Sequence, residues 1–184
     1  MRTLMLALWA LVLPAGTALA ASPYAGQEQR QIKALSAAEV DDLEAGRGMG
    51  LAKAAELNHY PGPRHALDLA SELGLDAAQT EATRRIFDAM SADAQALGRR
   101  IVTAERELDG AFAEGKFDQD GLKQSTAAIA ILRGELRFVH LRAHLELKAV
   151  LSADQIRHYD RLRGYTDGGH GIHRHGSHQN HKGG

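Results

Sequence analysis

The chain has 184 residues, with 22 Lys and Arg against 23 Asp and Glu, a net charge of −1 with histidine neutral, and no cysteine. That balance provides no global basicity for nucleic acid or anionic lipid, so nucleic acid is not an expected partner. The missing cysteine excludes disulfides, thiol nucleophiles and lipid-modified cysteine.

Residues 1–20 have the layout of an export signal. Arg2 supplies the positive end, Leu4 to Leu13 is an uncharged apolar run, and Ala18-Leu19-Ala20 is a small-residue cleavage site. The rival reading is an uncleaved inner-membrane anchor. It is weaker because Pro14 and Gly16 leave the segment short of the ~20 apolar residues a spanning helix needs. The expected compartment is a bacterial periplasm. Removing the signal, with its single Arg and the only Trp, Trp9, leaves 164 residues of net charge −2. That is one domain's worth of chain. Its apolar residues are mainly Leu, Ala, Ile and Val, which suits long helices, so an all-α fold is expected.

Residues 21–35 open with Ser22-Pro23-Tyr24-Ala25-Gly26 and carry no sustained period, which reads as an extended N-terminal arm. A helical domain is expected over residues 36–164. Ser36-Ala37-Ala38-Glu39 is a capping box opening a short helix that closes near Gly46. The Gly46-Arg47-Gly48-Met49-Gly50 run reads as a turn or hinge; no strand precedes it and no Gly-Lys-Ser/Thr follows, so it is not a phosphate loop. A second short helix fits Leu51 to Leu57. Asn58 to Pro63 then turns the chain, with Pro63 suited to a helical first turn.

Two pentapeptides, Leu75-Asp76-Ala77-Ala78-Gln79 and Leu151-Ser152-Ala153-Asp154-Gln155, lie 76 residues apart. In each, an oxygen-bearing side chain (Asp76, Ser152) stands three residues before a Gln (Gln79, Gln155), which is a reciprocal helix-capping arrangement. Between them, Ile86, Met90, Ala94, Leu97, Ile101, Ala104, Leu108 and Phe112 recur at three- and four-residue intervals, as do Ile129, Leu132, Leu136, Val139, Ala143, Leu147 and Val150. Two long amphipathic helices follow, broken between Gly115 and Gly121. At 1.5 Å per residue each reaches roughly 50 Å, so they make an elongated antiparallel hairpin. One hairpin buries only one stripe, and a homodimer is expected to cover the rest. Asp118-Gln119-Asp120-Gly121 fails as a calcium loop because Lys116 and Ala127 would occupy the end ligand positions. No catalytic motif is present, and no enzymatic activity is expected.

Histidine stands out. Of ten, His170, His173, His175, His178 and His181 fall within twelve residues of a Gly-rich tail spanning 165–184. Imidazoles that are neutral above pH ~6.5 donate lone pairs to zinc, copper or nickel. The plainer reading is a solubilising disordered tail. His140 and His144 are one helical turn apart and share a face. A tetrahedral centre needs three or four ligands, so His65 and an acid such as Asp88 or Glu72 would have to converge on them. Alternatively, Arg133, Arg137, His140, His144 and Lys148 form one basic stripe beside the apolar seam, either simply solvated or attracting acidic segments of an unfolded chain.

The two Leu-x-x-x-Gln motifs flanking a long helical hairpin behind an export signal resemble the Leu-Thr-x-x-Gln (LTxxQ) family of periplasmic proteins. That family includes the Spy and CpxP chaperones, the zinc-responsive ZraP and CnrX-like heavy-metal sensors. The resemblance spans about residues 63–163, with Asp76 and Ser152 in place of Thr. It implies a cradle-shaped, all-helical, antiparallel dimer. In the metal-sensing branch a His pair precedes the first motif and His-x-x-x-Met the second. This chain has His65 alone, then His140-x-x-x-His144 with Lys148 one turn further on. The expected function is a periplasmic stress or metal-resistance protein binding transition metal, zinc first and copper or nickel as alternatives, with ATP-independent protection of unfolded periplasmic proteins. The alternatives are a heavy-metal sensor acting on a membrane-bound sensor or anti-sigma partner, and a structural helical adaptor.

Overall fold

A computed structural model describes residues 21–165. The export-signal reading of residues 1–20 and the tail histidines His170, His173, His175, His178 and His181 lie outside the described residues.

Among the described residues the regular structure is helical, with no strand. After a short 3-10 turn at Gln27–Gln29 come α1 (Ala37–Glu44), α2 (Lys53–Glu56), α3 (Pro63–Asp68), α4 (Ala77–Ala113), α5 (Gln119–Val150) and α6 (Ala153–Arg163). No helix here is long and apolar enough to cross a membrane.

The ends of these helices follow from their caps. The Asp76 carboxylate accepts from the Gln79 amide N–H at 2.7 Å, and the Gln79 carboxamide accepts from the Asp76 N–H at 3.2 Å. Ser152 and Gln155 exchange the same pair of bonds at the start of α6, at 3.2 and 2.9 Å. Ser36 and Glu39 form a third box at α1. The two motif boxes then clasp each other: Gln79 and Gln155 each donate from Nε2 to the other's Oε1 at 2.9 Å. Gln79 Nε2 also reaches the Val150 carbonyl at 3.1 Å, tying the start of α4 to the end of α5. Asp118 caps α5 by accepting from the Gly121 N–H at 2.7 Å. Gly121 therefore lies in the first turn of α5 and not in the break between the long helices.

Helices α4 and α5 lie along each other with opposite sense. Asp93 meets Arg142 at 2.8 Å, Arg100 meets Glu135 at 3.7 Å, and Glu105 meets Arg133 at 2.7 Å, so partners descend on one helix as they rise on the other. Between them lies a core of Met90, Ala94, Leu97, Ile101 and Val102 from α4 with Leu132, Leu136, Val139 and Ala143 from α5. A second core, of Ala66, Leu73, Leu147, Leu151 and Tyr159, joins α3, the end of α5 and α6.

Two features depart from the sequence expectation. The N-terminal arm of residues 21–35 is packed down at its end: Ile32 and Leu35 are buried with the α4–α5 core, and Lys33 Nζ pairs with Asp109 at 3.1 Å. Two apolar residues three apart are too few to show a period. Phe112 is exposed and packs on Phe117, with ring centroids 4.9 Å apart, instead of extending the seam. At Gly98 the backbone of Leu43 comes so close that an added β-carbon would lie 1.8 Å from the Leu43 carbonyl oxygen. α1 thus closes onto α4 without an intervening side chain.

Candidate functional site

The histidine pair of α5 and His65 of α3 line one cavity of about 510 Å³, roofed by the Gly46–Gly50 turn, α2 and the start of α3. His140 and His144 are buried, at 3% and 7% exposure. The side chain of His65 is 44% exposed and stands 3.9 Å from Asp68. The roof is held by the Asn58–Pro63 turn, which is pinned on every side. His59, at φ 62, places Nδ1 2.8 Å from buried Asp160. The Lys148 ammonium lies 3.5 Å from the centroid of the Tyr60 ring. The Gly62 N–H donates to the Tyr159 hydroxyl at 3.2 Å.

His144 is oriented by the same turn, since its Nδ1 lies 2.8 Å from the Tyr60 carbonyl. A carbonyl only accepts, so Nδ1 carries the proton and Nε2 keeps its lone pair. This is how metal-ligating histidines are usually held, with the second ring nitrogen donating to a fixed acceptor. An added β-carbon at Gly62 would lie 3.0 Å from His144 Cε1 and 3.1 Å from Glu56 Oε2, so the bare glycine leaves this ring its room. His140 Nε2 is closed to solvent and has no hydrogen-bond partner, while its Nδ1 edge faces Gly48 of the cavity wall. Burial, and then His144 beside it, holds His140 below the usual histidine value. Burial, followed by Arg163, does the same for His65. Both are therefore neutral, ligand-competent imidazoles at neutral pH.

The acid that meets the pair is neither Asp88 nor Glu72, both of which are exposed and absent from the cavity wall. It is Glu56 of α2, with Oε2 3.6 Å from His144 Nδ1. Its other oxygen accepts from the Tyr159 hydroxyl at 2.6 Å and the Tyr165 hydroxyl at 3.3 Å, with Arg163 Nε 3.4 Å away. Burial and the bond to Glu56 raise the Tyr159 phenol well above its ordinary value, so it stays protonated and serves as a pin. Sequence gave no signal for Glu56, because a four-residue helix has no period to read. The left-handed turn at Gly164, φ 76, ends α6 and sends Tyr165 back to the cavity wall.

The expected basic stripe is divided. His140 and His144 face the cavity, Arg133 is paired with Glu105, and Lys148 covers Tyr60. Arg137 remains exposed beside a shallow groove with Met49 and Leu51. Asp76, Gln79, Ser152 and Gln155 are helix caps and lie outside the cavity wall.

The donor chemistry suits a borderline-soft cation: two imidazoles one helical turn apart and a nearby carboxylate. Among the described residues, however, no three His, Asp or Glu side chains stand close enough together to enclose one ion. In comparisons with protein families, curated proteins and solved structures, nothing matches the chain.

Proposed function

We propose that the chain is a non-catalytic, exported protein of the bacterial periplasm that binds a transition metal, zinc first and copper or nickel as alternatives, at the His140–His144 pair. The observation that supports it best is the state of the pair. Both rings are buried in one cavity wall, and His144 is fixed through Nδ1 to the Tyr60 carbonyl, which leaves Nε2 for a ligand. Calorimetric titration of the full chain with zinc, copper and nickel tests it. Submicromolar binding that is lost in His140→Gln and His144→Gln supports the reading; binding that neither substitution alters overturns it.

The same proposal takes the α4–α5 unit as half of a homodimer. Ile131, Phe138 and Leu145 are all at least 60% exposed and stand seven residues apart along α5, the spacing of a coiled-coil seam. ATP-independent protection of unfolded proteins would use this apolar row, because the basic stripe first suggested for clients is largely committed to Glu105 and Tyr60. Suppression of client aggregation at stoichiometric protein supports that role; no suppression removes it.

A second reading, a heavy-metal sensor acting on a membrane-bound partner, is favoured by one contact. The segment that roofs the cavity also holds His144 through Tyr60, so occupancy there would act on the N-terminal helices directly. Retention of residues 1–20 in the protein isolated from its native membrane would favour it.

A further inference from the structure

We infer that in the metal-free protein the cavity over the α5 histidines binds a small organic anion, a carboxylate carrying an aromatic or aliphatic body. This goes beyond the metal reading and does not depend on it.

The cavity is larger than a single ion requires. At about 510 Å³ it has the size of a site for a small organic molecule, roughly 300–1,000 Å³. Part of its wall is apolar, with Leu57, Pro63, Phe87 and Met90. The charged part is one-sided: Arg47, Lys53, Arg64 and Arg163 line it against a single carboxylate, Glu56. That carboxylate is already engaged by Tyr159, Tyr165 and Arg163. Asp42 and Asp68 stand outside the wall and meet Arg47 at Nη1 and Arg64 at Nε, so each guanidinium keeps further donors. The Arg64 guanidinium also lies 5.8 Å from the centroid of the Phe87 ring, which sets a cation beside an aromatic face of the wall. Lys53, in the first turn of α2, is exposed at the rim.

His140 gives an independent indication. Burial keeps this ring neutral, so it carries one proton. Nε2 is closed to solvent and has no partner, and a proton there would be an orphaned buried donor, which is rarer than an unfilled acceptor. In the metal-free protein Nδ1 therefore carries the proton, on the ring edge that faces Gly48 of the wall. A metal bound at Nδ1 would displace that proton to Nε2, which is why the anion belongs to the metal-free state. The ring thus offers the cavity a donor, and a carboxylate oxygen accepts from it. A neutral ligand would leave the cations unused, and a cationic one would meet them as like charges.

The test is calorimetric titration of chelator-treated, full-length protein with three probes of one shape: naphthaleneacetate, its uncharged amide and the matching primary amine. The carboxylate should bind at one equivalent, at least tenfold tighter than the amide, with the amine weakest. Lys53→Met should weaken carboxylate binding about threefold, the worth of an exposed charge, and leave the amide unchanged. A β-carbon at Gly48 would stand 4.0 Å from the His140 ring, in ordinary contact, so Gly48→Leu fills the space beside that ring and should abolish carboxylate binding. An amide that binds as tightly as the carboxylate, or carboxylate binding retained in Gly48→Leu, overturns the inference. Absence of carboxylate binding overturns it too and leaves the metal reading standing, because no metal is present; a failed zinc titration leaves the anion site standing. Since leucine also alters the turn, a measurement without substitution is added. Ring-nitrogen NMR shifts of His140 in the unaltered, metal-free protein should report a protonated Nδ1 that moves on saturation with the carboxylate. A proton on Nε2, or no movement, overturns the inference.

Discussion

Gln79 and Gln155 hold one another by both halves of their carboxamides, each Nε2 donating to the other's Oε1 at 2.9 Å. Each also caps its own helix, so one pair of side chains fixes where α4 and α6 begin and how the two starts meet. Removing either glutamine takes away the bonds across the clasp and leaves one N-cap N–H without its partner, while the other glutamine keeps its own capping bond. Gln79→Ala or Gln155→Ala should each lower stability by about 1–3 kcal/mol. The double variant should lose clearly less than the two losses combined, as for residues in one network. Urea unfolding of the three proteins decides; strict additivity contradicts the clasp.

Gly98 and Gly134 make a matched test of packing. An added methyl at Gly134 meets nothing within 4 Å, so Gly134→Ala should stabilise α5 by about 0.5–1 kcal/mol. At Gly98 the same methyl runs into the Leu43 carbonyl, and backbone cannot swing aside as a side chain can. Gly98→Ala should destabilise by about 1–3 kcal/mol, in spite of the better helix propensity. Equal effects at the two sites in thermal unfolding would contradict the close approach of α1.

Much of this fold is legible in the sequence, because long helices advertise their period over many turns and their caps in a few letters. The boxes at Ser36, Asp76 and Ser152 all open helices where the pattern placed them. The cavity is less legible. Its two buried histidines could be seen as an i, i+4 pair, but whether they faced water or a roof depended on the Asn58–Pro63 turn, whose conformation rests on tertiary bonds to Asp160, Tyr159 and Lys148. Glu56 and Gly62 act through position alone, and neither belongs to a pattern. Ile32 and Leu35 were missed for a related reason: a segment that packs without repeating leaves no periodic trace.

Acid should loosen the cavity. His140 is held below the ordinary histidine value by burial and by His144, so between its folded and unfolded values the unfolded chain binds more protons. Stability then rises with pH across that window. It is fully present above about pH 6.5 and falls as pH drops below it. His65 shifts the same way but is partly exposed and adds less. The melting temperature of the metal-free protein should fall between about pH 7.5 and about pH 5, and His140→Gln should flatten part of that fall. An unchanged slope in the variant would contradict the buried neutral imidazole.

The exposed row on α5 should separate assembly from folding. Leu136 is 2% exposed in the α4–α5 core, so Leu136→Asp should unfold the chain by placing an unpaired charge there, at a cost of several kcal/mol. Phe138 is 60% exposed, and Phe138→Asp should leave the helical signal intact while converting a dimer to a monomer in sedimentation. A monomer for the unaltered protein, or a dimer untouched by Phe138→Asp, contradicts the α5 seam.

The most direct test of the metal reading is anomalous diffraction at the zinc edge from crystals of the full chain grown with one equivalent of zinc. One strong peak is expected between α5 and the Asn58–Pro63 turn, about 2.0–2.1 Å from a ring nitrogen of His140 and of His144. A peak elsewhere, with none at this pair, would contradict it.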